Sequence, residues 1–147
     1  MKKAFSIFFV LFVLLTLSAC NTEKTEIEDC EWKVSAVMDN DITPTDSTYA
    51  IIAVGEPDEV YPEATIVNVT LTASDGKVTV TDITNGKVYN GTYKVTKNTP
   101  KGTDYEIEID GQIGYATVAP TKYYNGDEIP TLPIRLGKYS LYFCPNK

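Results

Sequence analysis

The chemistry open to this chain is bounded first by a residue type it lacks. Its 147 residues include no histidine, which excludes Ser-His-Asp and Cys-His nucleophiles, a histidine base poised near neutral pH, and histidine-held zinc or haem. Carboxylates, tyrosines and cysteines remain. Glu106 and Glu108 stand two apart, where a glycosidase would need its two acids facing each other across a cleft. On an alternating strand they share one outward face, so no enzymatic activity is expected. Asp39-Asn40-Asp41 with Asp46, and separately Glu56, Asp58 and Glu59, offer the oxygen ligands that calcium prefers. Neither group follows the twelve-residue EF-hand spacing, and no metal or cofactor is expected. The aromatic residues are the stronger signal. Trp32, Tyr89, Tyr93, Tyr105, Tyr115 and Tyr139 fall on alternating stretches. If they face inward, their rings and hydroxyls suit a pocket for a small amphipathic or carbohydrate ligand; the other reading is ordinary packing with phenol tips at a rim. Thirteen Lys and Arg against 20 Asp and Glu argue against a nucleic-acid partner, whose binding needs clustered cations.

The N-terminal residues set the expected address. Met1-Lys2-Lys3 is basic, Ala4 to Leu17 is apolar, and Leu17-Ser18-Ala19-Cys20 follows. This order is that of an export signal, and its end resembles the lipobox of bacterial lipoproteins. The resemblance implies a signal peptide over residues 1–19 and a Cys20 that is lipidated and becomes the new N-terminus. Cleavage near Ala19 without lipid, or an uncleaved anchor, are the alternatives. The apolar run of 14 residues is short for a spanning helix, so acyl chains would tie the protein to the membrane. The expected location is the bacterial cell envelope, as an outer-membrane lipoprotein that faces the periplasm or the surface. Residues 20–29 are polar and acidic and read as a flexible tether. Acids after a lipidated cysteine resemble the surface-export signals of Bacteroidetes lipoproteins, and Asp46-Ser47-Thr48 resembles an O-glycosylation site of the same group, with Ser47 as acceptor. Cys30 and Cys144 are then the only other cysteines, and an exported chain is expected to join them in a disulfide. That bond would bring the first and last strands within about 7 Å.

Residues 30–147 must position these groups, and their composition is that of a β-protein. From Cys20 onward 18 Thr, 11 Val, 11 Ile and 10 Tyr stand against 4 Leu and 7 Ala, a bias toward strand formers. Trp32, Val34 and Ala36 alternate with polar neighbours. Tyr49 to Val54 is an apolar run whose periodicity is undecided. Val67, Val69 and Leu71 turn at Ser74-Asp75-Gly76 into Val78 and Val80, and Asn85-Gly86 leads into Tyr89, Gly91, Tyr93 and Val95. Tyr105, Ile107 and Ile109 turn at Asp110-Gly111 into Ile113, Tyr115 and Thr117. A loop is expected from Thr121 to Pro130, then Leu132, Ile134 and Leu136, and finally Tyr139, Leu141 and Phe143. Eight or nine short antiparallel strands in sequence order predict an all-β, up-and-down barrel, with a two-sheet sandwich as the alternative. Closure of the barrel would leave no free edges, so a monomer is expected.

Cys30-Glu31-Trp32-Lys33-Val34, Leu71 to Val78, Gly91-Thr92-Tyr93-Lys94-Val95 and Gly137 to Phe143 together look like the lipocalin-like (calycin-type) lipoproteins of Bacteroidetes. Cys30 stands where a lipocalin carries glycine, two residues before the tryptophan. The resemblance implies a barrel plugged at one end by Trp32 that binds a small ligand. The other functional expectation is an interaction module that displays loops such as Pro120 to Pro130, with Tyr123 and Tyr124, to a protein or glycan at the cell envelope.

Overall fold

The two tight-turn signals shape the chain first. Asp75 and Gly76 take φ of 51° and 75°, and Asp110 and Gly111 take 52° and 79°. Two successive left-handed residues make the turn whose twist matches a β-hairpin. The computed structural model describes residues 24–45, 50–123 and 125–146; the leader, Cys20, Ser47 and Tyr124 lie outside them. In the described residues the strands are β1 (Trp32–Asp39), β2 (Ile51–Val54), β3 (Thr65–Ile66), β4 (Val69–Ser74), β5 (Lys77–Asp82), β6 (Lys87–Thr99), β7 (Gly102–Ile109), β8 (Gln112–Lys122), β9 (Glu128–Leu136) and β10 (Tyr139–Pro145).

From β4 to β10 each strand pairs antiparallel with the next, and β10 returns to β1, which meets β4 through Trp32↔Leu71 and Lys33↔Thr70. Eight strands therefore close an up-and-down barrel, and the sandwich alternative is set aside. The seam between β1 and β4 is short because β1 bulges between Val34 and Ala36. Beyond the bulge, Ala36 to Met38 pair with β2 instead, and β2 carries β3 in parallel outside the barrel. Within the undecided apolar run, Ile51–Val54 is therefore strand. Among the described residues the two-residue β3 is left as a free edge strand, and shortness is a common protection for such edges.

The expected Thr121–Pro130 loop shrinks, because β8 runs to Lys122 and β9 starts at Glu128, with Pro120 opposite Pro130. Proline is tolerated there because it donates nothing to a ladder, and the flanking strands no longer pair at that height. β7 reaches only Thr103↔Val118 against β8, and β10 only Phe143↔Leu132 against β9.

Two expectations about the chain's start change. The first and last strands do pair, with Trp32↔Pro145 and Lys33↔Cys144, but the expected disulfide is absent: Cys30 and Cys144 are both free thiols. Cys30 packs against the core, whereas Cys144 follows the buried Phe143 and so faces the other side of the wall. It also lies opposite Lys33 of β1, whereas Cys30 stands in the bend before that strand begins. Part of the expected tether, residues 24–29, is also folded. Residues 24–29 fold across one end of the barrel, where the Ile27 side chain is 1 % exposed, and burying it contributes about 1.5–3 kcal/mol.

Candidate functional site

The two ends of the barrel differ. At the end where β1 begins, Trp32, Tyr105, Val118 and Leu132 are buried with Ile27 between them. Trp32 Nε1 donates to the Ile27 carbonyl at 2.8 Å, and the Ile27 N–H donates to the Tyr105 hydroxyl at 3.3 Å. That hydroxyl donates in turn to Glu26 Oε2 at 2.5 Å, while Thr103 Oγ1 donates to Glu26 Oε1 at 3.0 Å. The Tyr93 hydroxyl donates to the Glu28 carboxylate, and its ring meets Tyr105 edge-on at 5.7 Å. This end is a plug, and the phenol groups serve the folded N-terminal segment.

Charge follows from that packing. Burial raises the Glu26 carboxyl, but hydrogen bonds from Tyr105, Thr103 and Lys24, with the Lys24 charge, outweigh it and hold the group below the ordinary carboxylate range. Burial, then the Glu28 carboxylate, pushes the Tyr93 phenol up to about 12. Burial and Glu26 push Tyr105 up as well.

At the opposite end the interior is open. Val69 of β4, Val80 and Asp82 of β5, Tyr89 of β6, Ile109 of β7, Ile134 and Leu136 of β9, and Leu141 and Phe143 of β10 surround a cup of about 300 Å³, with Asp110 and Gln112 at its rim. Each strand presents alternate residues to the inside, so six of the eight barrel strands contribute to one apolar wall. Asp82 Oδ1 accepts from the Asn85 backbone N–H at 3.0 Å and Oδ2 from its amide at 2.7 Å, which fixes the β5–β6 turn beside the cup. No lysine or arginine lines it.

Two other hollows lie outside the barrel wall. One, of about 460 Å³, runs past Lys33, Glu56, Cys144 and Asn146; the other, of about 420 Å³, lies among Lys24, Pro100, Pro120 and Pro130. Both are larger than the cup, but they are surface grooves with more polar walls. Of these three hollows, the cup alone is framed by inward-facing apolar side chains from most of the barrel.

The six aromatic residues named from the sequence are therefore not brought together. Tyr89 lines the cup. Trp32, Tyr93 and Tyr105 belong to the plugged half. Tyr115 points outward and is 65 % exposed, because β8 turns Gly114, Ala116 and Val118 inward instead. The interior there is already occupied by Ile107 and Ile134, so the small residues take the inner face. Tyr139 shares the parity of Leu141 and Phe143 but stands at the start of β10, exposed, with the Lys138 ammonium 4.9 Å above its ring.

The carboxylates are accounted for differently. Glu106 pairs outward with Lys94 at 2.7 Å, and Asp39 holds Lys138 at 2.8 Å while accepting the Asp41 N–H at 3.0 Å. The residues that reading the sequence missed are the aliphatic ones, Val69, Val80, Ile134 and Leu136. Their alternation marked them as inward-facing, but nothing local distinguished cup from filled core. In comparison with known protein families, curated proteins and solved structures, the chain matches none.

Proposed function

We propose that this chain is a membrane-anchored lipoprotein of the bacterial cell envelope, non-enzymatic, that holds a small amphipathic ligand in the open end of its barrel. The observation that carries the reading is the apolar cup of about 300 Å³ opposite a plugged end. Ligand sites are concave, mostly apolar and supplied with a few polar groups, and this volume is at the small end of their range of about 300–1,000 Å³. An amphipathic ligand fits better than a carbohydrate, because the wall is mainly aliphatic and its two aromatic residues are Tyr89 and the fully buried Phe143. The basic start, apolar run and Leu17-Ser18-Ala19-Cys20 ending support the anchor.

Filling the cup tests the reading. Val69→Phe places a ring where the half-buried Val69 side chain now borders the opening. The full chain purified from its native membranes is expected to release a small molecule in native mass spectrometry, and the variant, folded by circular dichroism, to carry none. A wild-type chain that comes off empty and takes up no small amphiphile, or a variant that keeps the ligand, contradicts the reading.

A further inference from the structure

The rim of the cup carries charge of one sign. Asp82 and Asp110 border the opening together with Gln112 and the Tyr89 ring. The nearby cations do not balance both acids. Lys138, in the β9–β10 turn, is held by Asp39 at 2.8 Å. Lys87 lies across the β5–β6 ladder from Asp82, whose oxygens are already occupied by Asn85. Asp110 is exposed in the β7–β8 turn, with its backbone N–H donating to the Asn90 carbonyl at 3.1 Å, and its carboxylate has no ion-pair or hydrogen-bond partner among the described residues.

Resting on the ligand-binding reading above, we propose that the cup selects a compact apolar molecule with a cationic nitrogen head and disfavours carboxylates, with Asp110 as the residue that discriminates. A cation at the opening gains the field of both acids above a low-dielectric apolar floor, which focuses that field. An anion there meets like charge at an apolar wall and finds no ammonium or guanidinium partner. The volume sets the other limit: one ring or a short branched chain fits, and a long acyl tail does not.

Three probes with one body separate these terms: cyclohexylmethylamine, cyclohexylmethanol and cyclohexanecarboxylate, titrated into the purified full chain at neutral pH. The amine is expected to bind about three- to tenfold more tightly than the alcohol and the carboxylate more weakly than the alcohol, with the amine's advantage shrinking as salt rises. Asp110→Asn should remove most of the amine's advantage over the alcohol, Asp82 keeping the remainder, while the alcohol still binds. Asparagine tolerates the left-handed backbone that Asp110 adopts, and the alcohol reports that the variant's cup is intact. A carboxylate that binds as well as the amine, or an amine preference undiminished in Asp110→Asn, overturns the inference while leaving ligand binding in place. Failure of all three probes overturns both.

Discussion

At the scale of single residues, the tyrosines divide by what their hydroxyls meet. Tyr93 and Tyr105 donate to Glu28 and Glu26, and the plug thereby acquires a pH window. Glu26 is held below its ordinary value of 4.5, so its contribution is present above that value and is lost as pH falls through the lower folded one. Tyr93 is raised from 10.0 to about 12, so its contribution is complete below pH 10 and is lost as pH climbs toward 12. Trp32 is the single tryptophan and donates to Ile27 of the plug, so its fluorescence reports both limbs. Its emission is expected to stay constant from about pH 5 to about pH 10 and to shift red on either side, and Glu26→Gln should alter the acid limb alone. An acid limb unchanged in Glu26→Gln would contradict this account of the plug. Alternation made Tyr105 legible as inward-facing. Its partner was not legible, because Glu26 lies 79 residues away in a stretch whose acidic composition reads as tether.

At the scale of elements, glycines mark where strands come closest. A Cβ on Gly91 would sit 1.8 Å from the Glu108 carbonyl oxygen and 3.0 Å from the Ile109 Cα, all of it backbone of the paired β7. Gly91→Ala must push β6 from β7 next to the cup, and is expected to lower unfolding stability by about 1–3 kcal/mol, read by chemical denaturation; an unchanged midpoint would contradict the close approach. The hairpins and their register were legible in the sequence because Asp75-Gly76 and Asp110-Gly111 encode turn and phase together. β8 was misread because Ile113 and Tyr115 are more apolar than Gly114 and Ala116. Which of two faces of a strand is buried depends on the space its neighbours leave, and no local pattern carries that. The same limit hid the fork of β1 between β4 and β2, which rests on a bulge at Val34/Ala36, and the strand character of the proline-bearing ends of β8 and β9.

At the scale of the whole molecule, the barrel is solid in one half and hollow in the other, and the functional reading rests on that asymmetry. Closure did not need the disulfide, since the β1–β10 ladder from Trp32↔Pro145 to Asp39↔Tyr139 supplies the contact that the bridge was expected to impose. The fold class was legible from strand count and hairpin order. The cup was not, because the boundary between filled and open interior is set by the height of large side chains summed around the barrel, with Trp32, Tyr105 and Ile27 concentrated at one end. The outer face offers a competing surface, with Ile113 60 % and Tyr115 65 % exposed on β8. The most direct test of the central claim is therefore a methyl-resolved NMR titration of the full chain with cyclohexylmethanol, a probe without charge. Shifts are expected at Val69, Val80, Ile134, Leu136 and Leu141, with Ile27 and Ile113 unmoved. Shifts centred on Ile113 with the cup methyls silent, or no saturable shift at any of them, would contradict it.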